Sequence, residues 1–425
     1  MLRDLFESVL GSDQRWLEGD DEAIVTNVSL VSRVPADVQH KVHRHWQQFE
    51  VPHPLWHTVL GMFYLLIGAA GLMGNGLVLW IFSTSKSLRG GTNVLVMNLA
   101  LTDLLMMGSQ APVLVVNCFT HRWTLGPTAC EIYGFCGALF GTVSITTLAL
   151  IALDRYKAIV KPYTGWRLSC GRGAAWACGS WAYGAAWCCP PLLGWNQYVL
   201  EGFLTSCTFD YLTEEPLSRV YVMLLFVFAY VVPLGVITTC YCFIYVFVSR
   251  HDHLLLKENV LTRRTCLTLH RRETQLARVV VTSVLFWTLA WTPYAVVSLL
   301  GALSWRSHLT PLSTMLPAVF AKLSTVYNPF IYAVSHPTYR QELARRLPGV
   351  CCKLGLVKGG AAGAETEFSR HYSLSSITSR CEMLSSHTSS GDSALRGVRR
   401  ERQQPPRRST RRQTLEPTST RNTDL

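Results

Sequence analysis

Seven apolar stretches of membrane-spanning length divide the chain, and short polar loops separate them. An α-helix rises about 1.5 Å per residue, so about 20 apolar residues cross the core of a bilayer. The pattern therefore predicts an all-α membrane protein, a seven-transmembrane helix bundle. The predicted spans are 55–82, 92–117, 127–160, 173–195, 218–249, 275–303 and 311–335.

The composition agrees with this prediction. Of 425 residues, 49% are hydrophobic and only 16% are charged, whereas soluble proteins carry about 25% charged residues. The net charge of +12 is concentrated in a few loops and in the C-terminal tail, which argues against nucleic-acid binding. Basic residues cluster in loops on one side, at Lys86, Arg89, Lys157, Lys161, Arg167, Arg172, Arg263, Arg264, Arg271, Arg272 and Arg278. The opposite loops hold few positive charges (Arg122, Arg219 and Arg306), so we expect the N-terminus outside the cell and the C-terminus inside.

The segments that flank the bundle differ from it in composition. Residues 1–54 are polar, and the Asn27-Val28-Ser29 sequon fits a glycosylated extracellular segment. Residues 353–425 are rich in Ser, Thr, Arg and Gly and poor in apolar residues. We expect this cytoplasmic tail to be disordered and its Ser and Thr clusters to accept phosphates.

Residues 336–352 connect the seventh span to this tail. Tyr339 and Leu343 lie on one face of a short helical pattern and Arg340 and Arg345 on the other. This amphipathic pattern predicts an eighth helix that lies along the membrane surface. Two cysteines follow it, Cys351 and Cys352, and they are interpreted as palmitoylation sites.

A lysine lies inside the seventh span. Lys322 is about eleven residues from either end, a distance of about 16 Å that a lysine side chain does not reach. An ammonium group near the bilayer midplane costs about 2.5–3.5 kcal/mol, so an intramembrane lysine indicates a function. Either a partner charge neutralises this amine, or the amine is used in covalent chemistry.

Proline and buried polar residues recur within the spans. Pro233, Pro293 and Pro329 each remove a backbone hydrogen bond and favour a kink. Polar side chains at Asn75, Asn98, Asp103 and Asn328 indicate an internal network that can rearrange.

A triad, Asp154-Arg155-Tyr156, ends the third span. Together with Asn328-Pro329-Phe-Ile-Tyr332, Asn75 and Asp103, it resembles the rhodopsin-like family of G-protein-coupled receptors over residues 55–350. The resemblance implies a receptor and not an enzyme, with a heterotrimeric G protein as its partner. It assigns activation to Asp154, Arg155, Tyr156, Asn328, Pro329 and Tyr332, and a polar core network to Asn75 and Asp103.

Within that family, Lys322 is similar to the lysine of opsins, which lies six residues before the Asn of N-P-x-x-Y. The resemblance implies a light sensor in the photoreceptor plasma membrane. Its cofactor would be 11-cis-retinal, bound covalently to Lys322 as a Schiff base. A protonated Schiff base in an apolar site needs a counter-charge.

Two cysteines at the edges of spans, Cys130 and Cys207, are candidates for a disulfide. Vertebrate visual pigments place a counterion glutamate three residues after the first of these cysteines, where this chain has Tyr133. Other opsins place it six residues before the second cysteine, which is Glu201 here. We expect Glu201 to be the counterion, with Asp210 as the alternative, because the run 196–211 resembles rhabdomeric opsins, the invertebrate visual type.

The same resemblance predicts a retinal pocket built from four helices. Small residues on the third helix leave room for the ligand, and aromatic residues on the sixth helix surround it. The predicted pocket residues are Tyr133, Gly134, Gly137, Gly141, Phe226, Trp287, Trp291, Tyr294 and Ala318.

Rhabdomeric opsins imply coupling to the Gq class, a photoproduct that keeps its retinal, and arrestin and a receptor kinase as partners of the phosphorylated tail. Thr338 departs from the lysine that these opsins carry after the seventh helix, which leaves the G-protein subtype open. Two alternatives also remain. One is a retinal photoisomerase with weak signalling, and the other is a ligand-gated receptor whose Lys322 pairs with an anionic ligand.

Overall fold

The computed structural model describes the backbone of residues 29–161, 164–255 and 260–349, and their side chains except at 248–255, 260–279, 335 and 337. Most of these residues are helical. The long helices are α1 (Pro54–Thr84), α2 (Gly91–Phe119), α3 (Gly126–Val160), α4 (Cys170–Cys188), α5 (Pro216–Phe226, a π-helical turn at Val227–Val231, then Val232–Leu255), α6 (Val260–Ala302) and α7 (Pro311–Ser335). A shorter helix, α8, spans Pro337–Arg346.

The seven-helix bundle predicted from the apolar pattern is confirmed. Within the described residues, five helices are long and apolar enough to cross a membrane on composition alone: Pro54–Thr84, Gly91–Phe119, Gly126–Val160, Pro216–Phe247 and Val280–Ala302. Helices α4 and α7 are less strongly apolar, since α4 consists largely of small residues and tryptophan in place of Leu, Ile and Val, and α7 carries Lys322 and Asn328. These two helices cross the membrane as part of the bundle, because their polar groups pack against neighbouring helices and not against lipid.

Three predicted spans differ from the structure by more than two residues at one end or both. The fifth was predicted to end at 249, but α5 continues to Leu255. The fourth was predicted at 173–195, but α4 ends at Cys188 and a 3-10 turn follows at Pro190–Leu193. Pro190 and Pro191 lack the backbone N–H that a continuing helix needs. The sixth was predicted from 275, but α6 begins at Val260, because charged residues such as Arg and Glu are good helix formers outside the bilayer.

A β-hairpin covers one end of the bundle, called here the hairpin end. Strand β1 (Tyr198–Glu201) pairs antiparallel with β2 (Ser206–Phe209), with Glu201 opposite Ser206. A disulfide between Cys130 and Cys207 ties β2 to the start of α3. The hairpin is therefore fixed directly above the interior of the bundle.

Residues 29–53 also pack on the hairpin end. They form three 3-10 turns whose Val38 and Trp46 are fully buried. Lys41 forms an ion pair with Glu131 at 2.7 Å, and His45 Nε2 donates to the carbonyl of Leu309 at 2.8 Å. The polar composition of the N-terminal segment gave no sign of this packing.

At the opposite end, α8 packs along the bundle, and this end is called the α8 end. Tyr339 and Leu343 are buried, and Tyr339 stacks on Phe82 of α1 with ring centroids 5.5 Å apart. Arg345 is exposed, and Arg346 donates to Ser85 at 2.8 Å. The amphipathic pattern predicted for α8 matches this arrangement of apolar and basic faces.

Candidate functional site

Lys322 faces a cavity in the interior of the bundle. The cavity has a volume of about 50 Å³, and Lys322 and Glu201 both line it. The Lys322 ammonium lies 5.8 Å from the centroid of the Trp291 ring, within the range of a cation–π interaction. A second cavity of about 90 Å³ lies toward α5 and is lined mostly by apolar side chains.

The two cavities adjoin, because Ala138, Phe209, Trp291 and Tyr294 line both. The space that they make up has the amine beside one cavity and mostly apolar side chains around the other. All nine residues predicted for the pocket border this space. Tyr133, Gly134, Gly137 and Ala318 line the part beside Lys322, Gly141, Phe226 and Trp287 line the apolar part, and Trp291 and Tyr294 line both.

The glycines of α3 let the side chains around this space approach the helix closely. A Cβ atom on Gly137 would lie 3.4 Å from the Lys322 Nζ and 3.4 Å from Gln110 Oε1. A Cβ atom on Gly134 would lie 2.5 Å from the Tyr198 ring, and one on Gly141 would lie 2.5 Å from the Trp291 ring. Larger residues would therefore displace the amine or the aromatic walls.

Glu201 supplies the carboxylate at the same end of the space. Its side chain is only 4% exposed, and its Oε2 accepts a hydrogen bond from the Tyr211 hydroxyl at 3.2 Å. Burial raises the pKa of Glu201 to about 7, although the Lys322 charge and the Tyr211 hydrogen bond act in the opposite direction. Within the described residues, no ion pair shorter than 4.0 Å joins Glu201 to Lys322, so the attraction acts across the cavity.

Asp210, the alternative counterion, has a different environment. It does not line the cavity beside Lys322. Its Oδ1 accepts from the backbone N–H groups of Leu212 and Thr213 at 2.9 and 3.0 Å, and its Oδ2 accepts from the Thr213 hydroxyl at 2.5 Å. These bonds hold the loop after β2, which is a structural role.

Gln110 of α2 lies beside Gly137 and was not among the residues predicted for the pocket. Its Nε2 donates to the Tyr133 carbonyl at 2.9 Å, while its buried Oε1 has no hydrogen-bond partner within the described residues. The unpaired oxygen and the Lys322 ammonium approach the same point beside Gly137. A buried carbonyl without a partner is costly, so this end of the cavity is suited to a ligand or a water that carries a donor.

Polar contacts lead from the cavity toward the α8 end. Trp291 donates through its indole N–H to Ser324 Oγ at 3.0 Å, and Ser324 lies two residues after Lys322 on α7. Further along, Asn328 donates to Asp103 at 2.8 Å, and Asn75 donates to the Thr325 carbonyl at 2.8 Å. Asn75 and Asp103, the residues predicted for the polar core network, thus each bond to α7.

Asn98 belongs to a separate group of contacts. It donates to Thr147 at 2.8 Å and accepts from the Trp181 indole at 2.9 Å, which ties α2 to α3 and α4. The sequence grouped Asn98 with Asn75 and Asn328. In the structure Asn98 bonds to α3 and α4, whereas Asn75 and Asn328 take part in contacts among α1, α2 and α7.

The triad lies at the α8 end of α3. Asp154 and Arg155 form an ion pair at 2.6 Å, and both are buried. Tyr156 packs against Phe243 of α5 with ring centroids 5.8 Å apart. At the same end, Tyr332 packs edge-on against Phe82 at 6.4 Å, and Pro329 lies within α7. Asn27, Cys351, Cys352 and the tail from 353 lie outside the described residues.

Comparisons with known proteins agree with this architecture. Residues 74–332 match the family described as 7 transmembrane receptor (rhodopsin family). The chain is 40% identical over 345 residues to a rhodopsin from Cataglyphis bombycina, which covers 80% of this chain and 90% of that protein. It is 38% identical over 335 residues to the lateral eye opsin of Limulus polyphemus, covering 77% of this chain and 89% of that protein. The crystal structure of squid rhodopsin is 34% identical, with a TM-score of 0.69 over 73% of this chain and 90% of that chain.

Proposed function

Since the chain belongs to the rhodopsin family of seven-transmembrane receptors, and is a light-sensing receptor of the invertebrate opsin type, we propose that it binds 11-cis-retinal covalently at Lys322 and activates a G protein of the Gq class. The observation that carries this proposal is the position of Lys322. It is an amine inside the bundle that lines the same cavity as a buried carboxylate, and a mostly apolar cavity adjoins it. As a receptor, the protein is not an enzyme.

The residues present fit retinal. Gly137 leaves the α3 wall beside the Lys322 amine without a side chain, and Gly134 and Gly141 let the Tyr198 and Trp291 rings pack directly against α3. Trp291, Tyr294 and Phe226 supply aromatic surface for an apolar ligand. Retinal, held through an imine to Lys322, supplies the absorption of light and the change of shape that follows.

Glu201 is the counterion in this proposal. A buried cation is expensive unless a carboxylate compensates it, and among the side chains that line the cavity beside Lys322, Glu201 is the one carboxylate. Tyr211 holds the carboxylate by its hydroxyl group. Tyr133 takes the position of the vertebrate counterion, and its phenol adds no negative charge at neutral pH.

We propose that the change of shape strains the cavity near Trp291 and Tyr133 and that Trp291 transmits it to the helices. Trp291 stacks on Trp287 with centroids 5.4 Å apart and is hydrogen-bonded to Ser324 of α7, so its movement affects both α6 and α7. Pro293 lies two residues away and weakens the α6 backbone at that point. We propose that α6 swings there, that the Asp103–Asn328 contact rearranges, and that Arg155 leaves Asp154 to contact the G protein.

The proposal includes the cellular setting. The hairpin end and the N-terminus face the outside of the cell. The α8 end lies on the cytoplasmic side of a photoreceptor membrane, as the basic loops predict. Arrestin and a receptor kinase act on the phosphorylated tail. Because the counterion is in the hairpin, as in opsins whose photoproduct stays intact, we propose that the illuminated pigment keeps its retinal.

The test is a light-driven nucleotide-exchange assay. The full chain is reconstituted with 11-cis-retinal in nanodiscs and mixed in parallel with Gq and Gi heterotrimers in the dark and after a flash. Light-dependent exchange on Gq that exceeds exchange on Gi supports the proposal. Equal or greater exchange on Gi contradicts the Gq assignment, and a normal flash-induced spectral change without exchange on either contradicts the signalling role. Release of free retinal after the flash contradicts the stable photoproduct.

A further inference from the structure

Both carboxylate oxygens of Asp154 are engaged at the α8 end of α3. Oδ2 accepts from the Thr92 hydroxyl at 2.6 Å and pairs with Arg155 at 2.6 Å. Oδ1 accepts from the indole N–H of Trp166 at 3.0 Å. Trp166 lies in the loop between α3 and α4, outside the motifs that the family resemblance assigns to activation.

Contacts from both flanking helices hold the Trp166 side chain in place. Lys157 of α3 lies with its ammonium 4.0 Å from a ring centroid, and the Arg172 guanidinium of α4 lies 4.9 Å away. The Trp176 ring of α4 lies 6.1 Å away at an angle of 30°. Cations at the face of an aromatic ring are attracted to it, and here they also add positive potential close to the Asp154 carboxylate. The indole N–H is therefore fixed in position and favourable for an anion.

We propose that Trp166 is a positioning residue for receptor activation, and that its N–H holds Asp154 in the orientation that pairs with Arg155. This inference rests on the proposed function, in which light releases Arg155. Asp154 is 1% exposed, so loss of the indole donor leaves a buried carboxylate oxygen without a partner. Hydrogen bonds to charged groups are stronger than neutral ones. The bond from Trp166 to Asp154 stabilises the resting receptor because, in this proposal, it is weakened or lost when Arg155 leaves Asp154.

Trp166→Phe removes the N–H and keeps an aromatic face for Lys157 and Arg172. In the full-length pigment, we expect nucleotide exchange in the dark to rise roughly tenfold, which corresponds to about 1.4 kcal/mol. The absorption spectrum and the light-saturated rate are expected to remain within twofold of the parent. The matched control is Trp176→Phe, which changes an indole in the same aromatic group that has no bond to Asp154, and its dark rate is expected to stay unchanged.

A second comparison separates positioning of Asp154 from a general effect on the loop. In an Asp154→Ala background the acceptor is gone, so Trp166→Phe is expected to add less than twofold to the dark rate. Trp166→Gln replaces the indole donor with an amide donor and is expected to give a lower dark rate than Trp166→Phe. If Trp166→Phe forms no pigment, Trp166→Gln tests the same hydrogen bond by itself. A tenfold higher dark rate in the Gln variant then contradicts the inference.

An unchanged dark rate in Trp166→Phe, or an equal rise in Trp176→Phe, overturns the role of Trp166. The same tenfold rise in the Asp154→Ala background does so as well. These failures differ from failure of the proposed function, because the parent pigment in the same assay then still absorbs visible light and activates the G protein when illuminated. A parent chain that forms no pigment refutes the proposed function first.

Discussion

Glu201→Gln tests charge compensation across the cavity. Glutamine is close to glutamate in size and can still accept a hydrogen bond from Tyr211, so the substitution removes a charge with little change in packing. Glu201 is 4% exposed and lines the same cavity as Lys322. The variant therefore leaves a cation at Lys322 without its counter-charge when retinal is bound.

The size of the effect follows from the cost of an uncompensated buried charge. Removing one member of a buried ion pair costs about 3–5 kcal/mol, and one pH unit corresponds to about 1.36 kcal/mol. That range is equivalent to about 2–4 pH units. Because no direct ion pair joins Glu201 and Lys322 in this structure, we expect the lower end, about 2 pH units.

The assay is a spectrophotometric titration of the dark pigment. The protonated imine absorbs visible light and the neutral imine absorbs at shorter wavelength, so the midpoint pH for loss of the visible band reports the stability of the cation. We expect this midpoint to fall by about 2 units in Glu201→Gln. The matched control is Asp210→Asn, because Asp210 bonds to its own loop and does not border the cavity beside Lys322.

In the control, the thermal stability of the pigment is expected to fall while the midpoint stays within half a unit. A Glu201→Gln pigment with the parental midpoint would refute the reasoning. A large fall in Asp210→Asn alone would move the counterion to Asp210.

Three further predictions concern packing, the polar network and pH. Gly141→Ala places a Cβ atom 2.5 Å from the Trp291 ring and is expected to destabilise the pigment by about 1–3 kcal/mol, measured as faster thermal loss of the visible band; an unchanged rate would contradict the tight contact. Asn328→Ala removes the donor to Asp103 and is expected to cost about 1.5–3 kcal/mol of stability, measured by thermal unfolding, and Asp103→Asn in the same background should recover part of the loss. Burial raises the pKa of Glu201 from 4.5 to about 7, so the retinal-free folded protein keeps a proton in this range that the unfolded chain releases. Its free energy of unfolding is therefore expected to fall by on the order of 3 kcal/mol between pH 4.5 and 7; a Glu201→Gln variant with the same slope in thermal unfolding would contradict this source.

The apolar pattern was sufficient to predict the helices, because membrane helices bury their backbone hydrogen bonds and need long apolar runs. The first, third and seventh spans agree with α1, α3 and α7 to within two residues at either end. Agreement was poorer for α4 and α6. Apolar residues continue past Cys188, where proline ends α4, and helix-forming charged residues extend α6 beyond the bilayer.

The candidate site could be predicted where spacing along one helix carried the information. Lys322 and Asn328 lie on the same helix, and the glycines of α3 recur along one face, so their proximity to the cavity followed from sequence. Gln110 was not assigned to the pocket, because its position beside Lys322 depends on the packing of α2 against α3. Trp166 was missed for a similar reason, since a loop tryptophan gives no sign in sequence that it reaches Asp154.

The central claim is that Lys322 binds retinal, and an absorption spectrum of the full chain reconstituted with 11-cis-retinal tests it most directly. The parent chain is compared with Lys322→Ala, with Lys322→Arg as a control that keeps the positive charge but cannot form the imine. We expect a visible band in the parent that both variants lack. After acid denaturation, we expect the parent to keep the band of a protonated imine, at a shorter wavelength. A visible band that persists in Lys322→Ala, or a parent chain that folds and shows no band, would contradict it.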